Sequence, residues 1–123
     1  INDAKNNNLE SIDVWGDGSA RREFMYAADF ADFVYYAIDH FEKMPQNLNV
    51  GMGHDYSINE YYQKIANVVG YQGEFTHDLS RPTGMQKKLI NSTKLKEFGW
   101  QYQTTIEQGI LKTYDFFLNE VEM

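Results

Sequence analysis

The chain has 123 residues, a net charge of −7, no cysteine, and a composition that is 42% hydrophobic and 15% aromatic. That is apolar material for one core and too much of it for wholesale disorder. The negative field opposes non-specific binding to nucleic acid or anionic membrane, and without cysteine neither disulfides nor thiolate metal sites are possible.

No apolar run approaches the ~20 residues that span a bilayer. The opening INDAKNNNLES lacks the apolar stretch of a signal peptide. A cytoplasmic location is expected. The absence of an initiator methionine makes a fragment of a longer protein the expectation.

Residues 1–12 are polar and asparagine-rich and read as a loop or a frayed helix end, ahead of a domain over residues 13–121. Residues 12–15 (IDVW) read as a short strand closed by a glycine turn at Gly16 and Gly18. Residues 22–26 (REFMY) read as a second extended piece. Phe30, Phe33, Val34, Ala37, Ile38 and Phe41 recur at helical spacing as one apolar face, and Pro45 is the stop. Residues 47–51 (NLNVG) read as a short buried strand.

Ser57 and Glu60 form a capping box. The helix they open carries Ile58, Tyr61, Tyr62, Ile65, Val68 and Val69, with Gly70 as its C′ residue. Residues 74–78 (EFTHD) alternate as a strand. Residues 79–88 are a loop punctuated by Pro82 and Gly84, and residues 89–91 are a short extended piece. Ser92 caps a brief helix holding Leu95 and Phe98, ended by Gly99. The last helix starts near Thr104 or Thr105 and aligns Ile106, Ile110, Leu111, Tyr114, Phe117, Leu118 and Val121. The sum is an α/β domain of three main helices with short strands, too few for an independent doubly wound sheet. Such a domain leans on another.

All three arginines, Arg21, Arg22 and Arg81, fall in two loop-like segments, and Lys87 and Lys88 end the second. A guanidinium grips phosphate oxygens bidentately and an ammonium adds a point charge, so the set suits a diphosphate. It equally suits ion pairing with the abundant carboxylates. Trp15 offers an indole for stacking on a base or sugar, although core packing is the commoner fate of a lone tryptophan.

Residues 51–56 (GMGHDY) begin like a dinucleotide fingerprint, but Tyr56 stands where the third glycine belongs, so the stretch reads as a turn. His40, His54 and His77 share no metal-ligand spacing, and His77-Asp78 has no nucleophile beside it. No tyrosine precedes a lysine by four; Tyr61 precedes Lys64 by three. No convincing catalytic group remains, and the other aromatics read as mostly core.

Taken together, W-G-x-G-x-x-x-R-E-F from Trp15, N-V-G-x-G from Asn49, P-x-G-x-x-x-K-L from Pro82 and F-G-W from Phe98 are specific as a set. From about Asp13 to Leu118 the chain resembles the C-terminal substrate-binding domain of the GDP-L-fucose synthase family. These are NADP-dependent epimerase/reductases among the extended short-chain dehydrogenase/reductases. The resemblance implies a parent enzyme whose Rossmann half binds NADP(H) and carries the catalytic serine, tyrosine and lysine, with a cysteine and a histidine for epimerisation. None of these lies here.

By the same resemblance Trp15 lies at the nucleotide-sugar site, Arg22 meets the diphosphate and Lys88 faces the ligand. Catalytic, cofactor and metal residues are none in this chain. The implied partners are a GDP-sugar and the Rossmann half, in a homodimeric parent whose isolated fragment is monomeric and inactive. The family pattern P-D-G-T-P-R-K is here PTGMQKK, with Thr83, Gln86 and Lys87 as departures, and YAAD stands for V-D-D. A colitose- or heptose-related GDP-sugar enzyme is therefore an alternative, as is a stand-alone, non-catalytic binder of anionic ligands.

Overall fold

The computed structural model describes residues 1–120, so Val121 and the expected domain end at 121 lie outside the described residues. In chain order the elements are α1 (Asn2–Asn6), β1 (Ser11–Trp15), β2 (Arg21–Arg22), α2 (Ala27–Asp39), a 3₁₀ turn (Phe41–Lys43), β3 (Tyr56–Ser57), α3 (Ile58–Val69), β4 (Glu74–Asp78), β5 (Lys87–Lys88), α4 (Thr93–Phe98) and α5 (Ile106–Glu120). β1 pairs in parallel with β4, from Ser11 opposite Glu74 to Trp15 opposite Asp78. A second sheet has the order β3-β2-β5, antiparallel on one side of β2 and parallel on the other. No doubly wound sheet forms among the described residues.

Alternation decides the faces of β1. Val14 is 1% exposed and Ile12 half-buried, while Ser11, Asp13 and Trp15 face out. Trp15 is 68% exposed. This corrects the expectation of core packing: with Val14 inside, its neighbour must leave by the opposite face.

α3 carries the capping box in full. Ser57 Oγ accepts from the Glu60 N–H at 3.1 Å, and Glu60 Oε2 accepts from the Ser57 N–H at 2.7 Å. Gly70 closes the helix at φ +80°. Two first-turn donors that a helix leaves unpaired find loop carbonyls: Ile58 N–H reaches Ala20 O at 2.9 Å and Asn59 N–H reaches Gly18 O at 3.0 Å. The glycine turn is thereby pinned to the head of α3.

Several expectations are corrected. α2 ends at Asp39, and Phe41 falls in the 3₁₀ turn. His40 leaves the helical region, stacks on Tyr36 at 4.0 Å and bonds the Tyr36 carbonyl through Nδ1 at 2.9 Å, so the stop precedes Pro45. Residues 47–51 form no strand. Leu48 and Val50 pack on the cluster of Phe33, Leu95 and Trp100 and pair with no described strand, so their pattern records burial without pairing. The extended piece expected at 89–91 lies two residues earlier, at β5, within the supposed loop. In the REFMY piece only Arg22 is in a strand. Ser92 stands before α4 but its side chain does not cap; Asn91 Oδ1 accepts from Thr93 N–H instead, at 2.9 Å.

A second cluster gathers Ala4, Ala66 and Tyr71. Phe33, Tyr61, Tyr71 and Trp100 are buried, but Phe24, Phe30, Tyr35, Phe41 and Phe116 are exposed, so the expectation that the aromatics are mostly core is corrected as well. Helical spacing identifies an apolar face without identifying what covers it. Asp29 in the first turn of α2 is buried and accepts from Thr104 N–H at 3.0 Å and from Thr104 Oγ1 at 2.9 Å. These bonds fix the approach to α5.

Candidate functional site

The turn after β1 is built on left-handed glycines. Gly16 has φ +75° and Gly18 φ +69°. A Cβ on Gly18 would fall 1.9 Å from Asn59 Oδ1, and one on Gly16 2.8 Å from Thr83 Cγ2. Space vacated at Gly18 admits the Asn59 amide, whose Nδ2 donates to Asp17 O at 3.0 Å while Oδ1 accepts from His77 Nε2 at 2.8 Å. His77 therefore orients an amide through Nε2.

The three-stranded sheet sorts the cations. Cross-strand partners leave a sheet on the same face. Arg21 is opposite Lys87 and Arg22 opposite Lys88. On one face Asp55 takes both cations: Arg21 Nε donates to Oδ1 at 2.7 Å, and Lys87 Nζ lies 3.6 Å from Oδ2. The Arg21 hydrogen bond holds the Asp55 carboxyl below its usual range. A depressed carboxyl contributes stability that is present above its unfolded value of about 3.9 and is lost as pH falls through the folded one. Asp55→Asn is therefore expected to flatten the acid limb of a denaturation-midpoint profile between about pH 5 and 2. A limb as steep as that of the unaltered protein would remove Asp55 from the account.

On the other face Arg22 and Lys88 remain. Arg22 Nη1 donates to Arg21 O and Met85 O, each at 2.7 Å. Its Nε and Nη2 find no protein acceptor among the described residues. Arg22 and Trp15 line one cavity of about 420 Å³, together with Asp13, Asp17, Tyr62 and Thr83. Both carboxylates there are engaged: the Thr76 hydroxyl donates to Asp13, and Ser19 N–H and Oγ donate to Asp17 at 2.9 and 2.7 Å. The bond from Ser19 N–H keeps Asp17 readily ionised. Lys88 is exposed and stands beside Arg22 in the ladder, outside the cavity lining. The structure thus brings Trp15 and Arg22 to one cavity and leaves Lys88, the ladder partner of Arg22, outside its lining.

Two positioning groups escaped the sequence reading. Glu23 takes the Gly53 N–H on Oε1 at 2.6 Å and the Ile90 N–H on Oε2 at 3.2 Å, tying the first motif to the second and to the residue that follows the third. Tyr61 donates to Arg22 O at 3.0 Å and accepts from Phe24 N–H at 3.3 Å. Their only sequence signal is membership of the motifs and of the α3 face.

Residues 1–51 match the NAD dependent epimerase/dehydratase family. The GDP-L-colitose synthase of Yersinia pseudotuberculosis is 58% identical over 109 residues, covering 89% of this chain and 35% of that protein. The chain is similar to members of the NAD-dependent epimerase/dehydratase family. Another member, the GDP-L-fucose synthase of Azorhizobium caulinodans, is 47% identical over 114 residues, 91% of this chain and 36% of its own. Among solved structures, the GDP-mannoheptose C4 reductase of Campylobacter jejuni with NADP bound superposes with a TM-score of 0.83 at 27% identity, over 96% of this chain and 42% of that one. The chain spans about a third of the length of the curated relatives it matches.

The Campylobacter structure raises the question of whether this part of the family fold could itself hold NADP. Residues 51–56, the stretch that begins like a dinucleotide fingerprint, do not fit its pyrophosphate. In residues 51–56 the Gly53 N–H that would meet a pyrophosphate is taken by Glu23, and a Cβ on Gly51 would fall 2.5 Å from Ile90 Cδ1, so the stretch is packed from within. Tyr56 lies in β3 beneath Lys64 Nζ, 4.7 Å from its ring. Among the described residues no group of three His, Cys, Asp or Glu could hold a metal ion, and no helix is long and apolar enough to cross a membrane.

Proposed function

We propose that this chain is the nucleotide-sugar substrate-binding part of an NADP-dependent GDP-sugar epimerase/reductase of the GDP-L-fucose synthase type. Arg22 carries the reading: a half-buried guanidinium with two unpaired donors, in the cavity that Trp15 also lines. The diphosphate lies at Arg22, with its ladder partner Lys88 as a second cation. The indole stacks on the base or sugar. Asp13 and Asp17 suit hydroxyl groups, since carboxylates accept hydrogen bonds from them and repel phosphate.

Hydride transfer and the acid/base pair belong to the rest of the longer enzyme, which also binds NADP, and the chain alone supplies orientation without turnover. Local cations act on a diphosphate at contact distance, while the acidic remainder is screened beyond about 10 Å.

In calorimetric titration with GDP, Arg22→Ala is expected to weaken binding by about 1.5–3 kcal/mol, the range for hydrogen bonds to charged groups. Arg21→Ala, whose guanidinium Asp55 already holds, is expected to leave affinity nearly unchanged. Equal affinity of Arg22→Ala and the unaltered protein would refute the reading. The higher identity to the colitose synthase favours a second reading, a GDP-L-colitose-type sugar. Thr83, in the cavity wall where the family has an acid, is the first position to exchange in testing it.

A further inference from the structure

An indole at 68% exposure is ordinarily free to sample rotamers. Around Trp15 the structure builds a chain of contacts that removes this freedom. Asp78 is its ladder partner, and the Asp78 carbonyl accepts from Gly16 N–H at 2.9 Å and from Arg81 N–H at 3.2 Å. Ser80 fixes the Asp78 carboxylate, with its N–H 3.0 Å and its Oγ 2.5 Å from Oδ1. The other oxygen, Oδ2, accepts from Arg81 Nε at 3.2 Å. The Arg81 guanidinium carbon then lies 4.8 Å from the centroid of the Trp15 ring. Arg81 stacks on that ring without lining the cavity that the ring itself lines. One side of the indole is thus held by a cation anchored to the neighbouring strand, and the cavity remains open.

We propose that Arg81 is a positioning residue for Trp15, holding its exposed ring as a preformed stacking wall of the nucleotide site; this rests on the function proposed above. An ordered wall lowers the side-chain entropy lost on binding. The three arginines then act separately, with Arg21 bonded to Asp55, Arg22 donating into the cavity and Arg81 ordering the indole. Lysine is a poor substitute at position 81, because it keeps the charge and loses both the planar stack and the Nε–H bond to Asp78.

The test compares the unaltered protein with Arg81→Ala, Arg81→Lys and Arg22→Ala, using GDP as the probe. Trp100 is 4% exposed, so acrylamide quenching reports selectively on Trp15. Arg81→Ala is expected to lower the fluorescence anisotropy of the quenchable tryptophan, to raise its quenching constant and to weaken GDP binding about two- to fivefold, the equivalent of an exposed cation–π contact. Arg81→Lys is expected to fall between. Unchanged anisotropy and quenching in Arg81→Ala would overturn the inference, as would lowered anisotropy with unaltered GDP affinity. If GDP fails to titrate into the unaltered protein, or binds Arg22→Ala equally well, the proposed function falls. The anisotropy comparison then still decides whether Arg81 orders the ring.

Discussion

Trp100→Ala is expected to destabilise the fold by about 3–5 kcal/mol, the range for deleting a large aromatic from a core. Trp100 is 4% exposed and meets Phe33 edge-on at 5.4 Å, in the cluster that also buries Leu95. Its Nε1 donates to Asp32 Oδ2 at 2.8 Å. Asp32 is exposed and regains water when the indole is lost, so the cost arises from the cavity and the lost contacts rather than from a stranded charge. Trp100→Phe, which keeps a ring against Phe33, is expected to cost a smaller amount. Since a domain's whole stability is about 5–15 kcal/mol, urea titration should show Trp100→Ala unfolded or nearly so without denaturant. A midpoint within error of the unaltered protein would mean that this cluster is not the core.

Gly18→Ala is expected to cost about 2–5 kcal/mol and to weaken GDP binding as well. Two causes add. The left-handed backbone at φ +69° costs a side-chain-bearing residue about 1–2 kcal/mol. The new methyl group falls on Asn59 Oδ1, so Asn59 must abandon its bonds to Asp17 O and His77, each worth about 0.5–1.5 kcal/mol. The turn carries Asp17 and follows directly on Trp15, so its displacement deforms one wall of the cavity. Thermal unfolding and GDP titration of the same variant separate the two effects. Loss of stability with intact affinity would show that the turn does not shape the site.

Local chemistry was legible in the residues. The capping box at Ser57 and Glu60, the left-handed closure at Gly70 and Gly99, the strand at residues 74–78 and the start of the last helix all depend on neighbours a few positions apart, and each stands where the pattern placed it, although exposure in that strand stops alternating at His77. The family resemblance, too, could be read from spaced motifs, because Trp15, Arg22, Asn49, Pro82 and Phe98 keep their order and intervals whatever the packing. Where an element needs a remote partner, the reading failed: residues 47–51 look like a strand and have none to pair with, while Lys87 and Lys88 look like loop and pair with β2.

The candidate site divides along the same line. The family resemblance alone proposed an indole, a guanidinium and an ammonium as candidate binding groups, in an acidic chain without cysteine. Which of two adjacent arginines is available was settled by folding, since Asp55 lies 34 positions from Arg21 and meets it on one face of a sheet that β5 completes. Folding likewise turned Trp15 outward beneath Arg81 and left the Phe30, Val34 and Ile38 stripe of α2 uncovered. What a residue can do with its near neighbours follows from the order of the residues alone; pairing and exposure depend on segments brought together from far along the chain, and no local pattern contains them.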